Sequence, residues 1–159
     1  MKKENRLLKI HDNFSTVEIY LTDDPPRSSR ERCAAVMVRG RTFSGSYNVS
    51  LELKELRQFG EESLKWFEKL PESGEGPFPE HLTFSGGHGS LELDIAPVST
   101  AKVCWNITCR PFLPEIEVLR LAVETESALV RSIHRNIEKT GAGRRTRFFI
   151  HGGTGNILL

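Results

Sequence analysis

The feature of the sequence that most constrains its fold is an abrupt change of hydrophobic period at Glu52. Up to that residue apolar and polar side chains alternate, which predicts a strand with one face in the core. The expected core face carries Phe43, Gly45, Tyr47, Val49 and Leu51. Across residues 53–70 apolar side chains recur every three or four positions, which predicts an amphipathic helix that Pro71 ends. A strand that runs directly into a helix indicates an α+β fold.

Strand-like alternation and helix-like spacing of apolar residues also occur in the rest of the chain. Alternation predicts further strands, and the glycine-rich segment 86–89 predicts a tight hairpin between two of them. The predicted strands are residues 16–22, 33–39, 42–52, 82–85, 90–95 and 102–110. Helical spacing over 114–139 predicts a second long helix that Pro114 begins. The expected fold is therefore α+β, a mainly antiparallel sheet of five or six strands packed by two principal helices.

Length and composition predict one domain with an appendage. The chain has 159 residues, of which 38% are hydrophobic and 27% charged, and this suits a single hydrophobic core. We expect residues 1–140 to form a single α+β domain. Residues 141–159 are a basic, glycine-rich C-terminal tail, which is either flexible or forms a short extra strand at 148–151, and we favour flexibility.

Charge and cysteine usage indicate the compartment and the class of partner. The sequence has no apolar run near the roughly 20 residues of a membrane helix and no signal peptide, so we expect a cytoplasmic protein without membrane contact. Cys104 and Cys109 lie on opposite faces of one predicted strand, which suits free thiols. Residues 1–143 contain 19 basic and 21 acidic residues, a net charge of −2. This region lacks the clustered basic residues of a nucleic-acid-binding protein, so no nucleic-acid partner is expected.

No residue pattern in the sequence indicates an enzyme. The five histidines form no metal-ligand spacing, and only His81 and His88 could meet, across the predicted hairpin. The segment 151–155, HGGTG, is similar to an esterase oxyanion loop but is accompanied by no nucleophile elbow. Asp94 lies on the polar face of its predicted strand, where a solvated role is favoured over general-base work. We predict no catalytic residue, no cofactor and no metal.

The predicted partner-binding site is the polar face of the strand that runs into the first helix. Small hydroxyl and amide side chains suit a wet protein interface, although a plainly solvated or helix-covered face is an equal alternative. Trp66, at the edge of the helix stripe, either caps the core or anchors the interface. Phe78 is likewise either a core anchor, which we favour, or an exposed contact. The predicted site residues are Thr42, Ser44, Ser46, Asn48, Ser50, Glu52, Glu55 and Trp66.

Three segments in succession resemble one family of bacterial proteins. They are VRGRTFSGSYNVSLELKELRQFGEESLKWFEKL, LTFSGGHGSLELDI and CWNITCRPFLPEIEVLRLAVETE. The resemblance is to the small immunity proteins of polymorphic and contact-dependent toxin systems, the WapI type in particular. It covers residues 36–129 and consists of hydrophobic and turn patterns: a strand opening, a Leu- and Glu-rich helix, a glycine-tipped hairpin, then a strand and a closing helix.

The resemblance implies a bacterial cytoplasmic protein that binds and neutralises a cognate toxin by protein–protein interaction. It implies no catalytic residue. The alternatives are a small regulatory or ligand-binding domain, or an enzyme without a recognisable motif. An enzyme predicts a deep polar pocket with convergent titratable groups, whereas an immunity protein predicts a neighbouring toxin gene. The identity of the toxin, the surface that binds it and the oligomeric state stay open at this point.

Overall fold

The computed structural model describes residues 5–26, 28–72, 76–111, 117–140, 147–150 and 155–158. These residues form ten strands and two helices. In chain order they are β1 (Arg6–His11), β2 (Thr16–Leu21), β3 (Glu31–Arg39), β4 (Ser44–Glu52), α1 (Leu53–Glu68), β5 (Leu82–Gly86), β6 (Leu91–Pro97), β7 (Lys102–Cys109), β8 (Leu119–Glu126), α2 (Ala128–Lys139), β9 (Arg147–Ile150) and β10 (Gly155–Leu158). Neither helix is long and apolar enough to cross a membrane.

Strands β1 to β4 form a four-stranded antiparallel sheet in which each strand pairs with the next. Alternation correctly predicted β2, β3 and β4. It did not predict β1, because the register of β1 shifts between Arg6 and Leu8. This irregularity leaves both Leu7 and Leu8 buried, so the simple polar and apolar alternation is lost.

Helix α1 begins at Leu53, the first residue after β4, so the predicted change of period is confirmed. The same helix carries Gly60 on its buried side. A Cβ atom at Gly60 would lie 3.2 Å from Cδ1 of Ile137 and 3.4 Å from Cα of His134, both on α2. The missing side chain at Gly60 therefore lets the two helices approach closely.

Strands β5 to β8 form a second four-stranded antiparallel sheet. The predicted glycine-tipped hairpin joins β5 to β6, and its turn residues Gly87, His88 and Gly89 have φ angles of 61°, 56° and 87°. Glycine adopts such angles at little steric cost, which explains Gly87 and Gly89, whereas His88 takes its positive φ angle as a non-glycine residue. Gly86 allows a second close approach, since a Cβ there would lie 2.7 Å from Cδ2 of Leu51. The hairpin tip thus packs against the end of β4.

The second predicted helix, 114–139, is wrong over residues 119–126, and residues 114–116 lie outside the described residues. Residues 119–126 form β8, and only residues 128–139 form a helix. Leu119 and Val123 are four residues apart, a spacing that fits a helix face and also one face of a strand. Pairing with β7 decides between the two, because Leu119 to Thr125 alternate between the core and solvent. Glu126 is the last residue of β8, one residue before Ser127 at the N-cap of the helix.

The prediction of a single sheet of five or six strands is also wrong. The described residues form two four-stranded sheets, and each is followed by one helix, so the order ββββα occurs twice. We call residues 6–68 the first unit and residues 82–139 the second unit. One hydrophobic core is shared by both sheets and both helices. β4 contacts β5, β1 contacts β8, and α1 contacts α2. The α+β class and the antiparallel pairing are confirmed.

Trp105 of β7 is the largest fully buried side chain of the core. Its indole Nε1–H donates to Oγ1 of Thr125 on β8 at 2.8 Å, so the one polar atom of the ring has a partner. At the centre of the core a cavity of about 20 Å³ is lined by apolar side chains of both sheets and both helices. A space of this size holds at most about one water molecule, so this cavity is not a ligand site.

Phe78 differs from its favoured interpretation, and two short segments of the tail form strands. Phe78, in the segment between α1 and β5, is 37% exposed, so it is a surface residue and the favoured core anchor is wrong. In the tail, β9 and β10 pair with each other as a separate two-stranded sheet. The strand alternative for the tail therefore matches β9, and the boundary at residue 140 between domain and tail stays a prediction.

Candidate functional site

The predicted polar row of β4 lies on the outer side of the first sheet, the side turned away from the core. We call this outer side of β1 to β4 the first-sheet face. Ser44, Ser46 and Asn48 are exposed there, while Val49 and Leu51 of the same strand are buried. The alternative of a helix-covered face is therefore excluded for these three residues.

Cross-strand register extends the polar row across the sheet. Ser46 lies opposite Met37 of β3, Met37 opposite Glu18 of β2, and Glu18 opposite Lys9 of β1. Met37 is 41% exposed, so a large apolar side chain sits in the middle of a polar face. A shallow depression of about 410 Å³ follows this row. The face thus combines an apolar centre with a polar surround, as protein interfaces do.

Glu18 on the first-sheet face is fixed by two neighbours. Nη1 of Arg6 lies 3.7 Å from a carboxylate oxygen of Glu18, and the Tyr20 hydroxyl donates a hydrogen bond to the same oxygen. That hydrogen bond to a carboxylate is the main reason that the pKa of Tyr20 lies above its ordinary value, with a smaller contribution from burial. Glu18 therefore presents a carboxylate of fixed position rather than a freely rotating one.

The remaining predicted residues on and after β4 occupy its two ends. Thr42 is exposed in the turn between β3 and β4. Ser50 donates a hydrogen bond of 2.8 Å to Glu31 and is half-buried. Glu52 is exposed at the N-cap of α1, where it makes no side-chain capping bond. The pKa of Glu55 is raised by burial first and by the charge of Glu52 second, with His88 acting in the opposite direction.

Trp66 does not belong to the surface, which corrects its prediction as an interface anchor. Its side chain is 6% exposed, and its indole Nε1–H donates to the backbone carbonyl of Glu80. The buried side of α1 runs through Leu56, Phe59 and Ser63 to Trp66, whereas the next residue, Phe67, is only half-buried. With 3.6 residues per turn the apolar stripe of α1 falls between these two aromatic residues, and in the folded protein Trp66 is the one that is buried.

Sequence reasoning missed an exposed aromatic and basic cluster at the turn end of the first sheet. The guanidinium of Arg41 lies 3.8 Å from the centre of the Phe14 ring, and Phe14 is 54% exposed. Phe43 in the same turn is 38% exposed. These residues come from two different turns that only the folded sheet brings together. Exposed aromatic residues beside arginine are typical of protein interfaces.

The outer side of the second sheet carries titratable groups, but their arrangement disfavours nucleophilic chemistry. Nδ1 of His81 lies 3.0 Å from a carboxylate oxygen of Asp94. Burial, and then the charges of Glu124 and Asp94, raise the pKa of the Cys104 thiol, which disfavours the reactive thiolate. Among the described residues no group of three histidines, cysteines or carboxylates could hold a metal ion.

The two hairpin histidines do not form a pair. His81 precedes β5 and His88 lies at the tip of the turn after it, so they are at opposite ends of the hairpin. The five residues of β5 separate them by roughly 16 Å. Of the tail segment 151–155, residues 151–154 lie outside the described residues. The three cysteines are free, and Cys104 and Cys109 lie on opposite faces of β7 as predicted.

No protein-family model, curated protein or solved structure matches this chain.

Proposed function

We propose that this chain is an immunity-type protein that binds and neutralises a bacterial toxin protein through the first-sheet face. The observation that carries the proposal is the composition of this face: exposed small polar side chains, Ser44, Ser46 and Asn48, around the exposed Met37. Such a surface suits a hydrated interface in which short side chains lose little conformational entropy on binding.

Charge on the first-sheet face is of both signs, which bears on the kind of partner. Glu52 is exposed near the helix end of the sheet and Arg39 near the turn end, with Glu18 between them. A partner with a matching pattern of charges would gain specificity and a faster association, because like charges in a wrong register repel. This mixed pattern favours one cognate partner over any uniformly basic protein.

The test compares two arginine substitutions at matching places in the two units. Met37→Arg alters the outer side of β3, and Asn106→Arg alters the outer side of β7, the third strand of the second unit. Both positions are exposed, so both variants should fold. We expect Met37→Arg to weaken binding to the toxin domain encoded beside this gene by about tenfold or more, whereas Asn106→Arg leaves it unchanged.

The readouts are calorimetric binding to the purified toxin domain and growth of cells that produce that domain. A Met37→Arg variant that binds and protects as well as the original chain would exclude the first-sheet face. Failure of the original chain itself to bind the toxin domain would exclude the immunity function, so the two parts of the proposal are tested separately.

A further inference from the structure

Among the strands that the structure describes, β4 pairs on one side only, and its backbone orientation identifies the residues that line the other edge. The amide of Gly40 donates to the carbonyl of Phe43, and the amide of Leu53 donates to the carbonyl of Arg30, each at 2.8 Å. Odd-numbered residues of β4 therefore direct their backbone groups towards β3. Because the direction alternates along a strand, the even-numbered residues direct theirs to the open edge. The open edge is formed by Ser44, Ser46, Asn48 and Ser50.

This edge carries none of the charges, prolines or bulges by which proteins often prevent strands from pairing. Residues 44–50 contain no charge and no proline, and β4 pairs with β3 in an unbroken register. The corresponding last strand of the second unit, β8, differs. The amide of Ser127 donates to the carbonyl of Ala101, so the even-numbered residues of β8 face its open edge. Those residues include Arg120, Glu124 and Glu126, and charges on an edge oppose pairing.

The β4 edge is complementary to itself in one antiparallel register. Centring a two-fold axis on Ser46 places Ser46 opposite Ser46 of the second copy and Ser44 opposite Asn48, so all three present free backbone groups to one another. The same register places Gly45 opposite Tyr47 of the second copy. No described atom lies within 4 Å of a Cβ built at Gly45, so this position leaves open space on the side of the sheet that carries the Tyr47 ring, whose hydroxyl donates to the carbonyl of Ser90 at 2.8 Å. A cross-strand aromatic residue stabilises a glycine in a sheet edge.

We propose that two copies of this chain associate through β4, forming a continuous antiparallel sheet of eight strands, four from each copy. The two-fold axis is perpendicular to the sheet, so the first-sheet faces of both copies lie on the same side. The pairing uses the backbone groups of Ser44, Ser46 and Asn48, whose side chains also belong to the first-sheet face, and it leaves Met37 accessible. Because it is tested without a toxin, it can fail while the partner-binding function proposed above holds.

The experiment is sedimentation velocity on the full chain over about a hundredfold range of protein concentration. We expect the mass to rise with concentration from that of one chain, 18.0 kDa, to twice that value. Ser46→Lys and Ser46→Asp each place like charges opposite one another at the two-fold axis, so each should raise the dimer dissociation constant at least about tenfold. An equimolar mixture of the two variants pairs opposite charges and should restore the dimer.

The matched control is Ser85→Lys, an exposed serine on the outer side of β5, which should leave the dimer intact. Thermal unfolding verifies that each variant is folded. Three results would overturn the proposal: a chain that stays monomeric over the whole range, a dimer that Ser46→Lys does not weaken, or a mixture of the two variants that associates no better than either alone.

Discussion

Strands β4 and β8 are the last strands of the two ββββα units, yet the side chains that they expose to solvent differ in character. Within the described part of the chain both pair on one side only, with the preceding strand, and both lead into a helix within two residues. β4 shows serine and asparagine to solvent, whereas β8 shows Arg120, Ala122, Glu124 and Glu126. Since the backbone geometry is shared, the difference lies in side chains alone. The same backbone arrangement thus carries one edge suited to contacts and one that resists them.

The largest expected effect concerns one buried residue in the third strand of each unit. Trp105 of β7 and Val36 of β3 are both completely buried. Trp105→Ala should lower the free energy of unfolding by about 3–5 kcal/mol, because a large cavity forms and Thr125 loses a donor. Val36→Ala should cost only about 2 kcal/mol. Urea denaturation measures both values, and equal losses would contradict the larger contribution to the shared core that is assigned to Trp105.

The second prediction removes the charge that distinguishes β8 from β4. Replacing Arg120, Glu124 and Glu126 together by serine should leave the fold intact, because these side chains are exposed. A neutral β8 edge should then begin to associate, so that sedimentation detects species larger than the dimer expected for the original chain. A triple variant whose mass distribution equals that of the original chain would contradict the role assigned to these charges.

The smallest expected effect concerns Glu55, beside the junction of β4 and α1. Its pKa in the folded chain is raised above 4.5 by burial and by Glu52, so folding favours the protonated form and stability falls as pH rises through this window. Glu55→Gln removes the penalty, and its melting temperature at pH 7 should exceed that of the original chain by up to about 2 °C. The difference should vanish below pH 4.5.

Glu61→Gln, at an exposed position of the same helix, is the control for this titration. It should leave the melting temperature nearly unchanged at both pH values. A Glu55→Gln variant that is less stable than the original chain at pH 7 would contradict the assigned cause.

The sequence predicted the features that local patterns encode and missed those that depend on distant partners. The change of period at Glu52 and the turn at 86–89 are local, and both were correct. Strand β8 was missed because Leu119 and Val123 fit both periods, and pairing with β7 decided the outcome. The division into two sheets depends on which strands pair, which no single segment specifies.

The candidate site likewise contains residues that the sequence predicted and residues that it missed. The alternation along β4 placed Ser44, Ser46 and Asn48 on an outer face from sequence alone. Met37 was missed because it reaches that face from a different strand, through a register that the sequence does not display. Trp66 was misplaced because the helical period could not separate it from Phe67.

Amide hydrogen exchange at two protein concentrations tests the contrast between the two edge strands most directly. We expect the amides of Ser44, Ser46 and Asn48 to exchange more slowly at high concentration, because they become hydrogen-bonded to the second copy. The amides of Arg120, Ala122 and Glu124, which face the corresponding edge of β8, should exchange at the same rate at both concentrations. Exchange at Ser46 that does not depend on concentration, or equal slowing on both strands, would contradict selective pairing through β4.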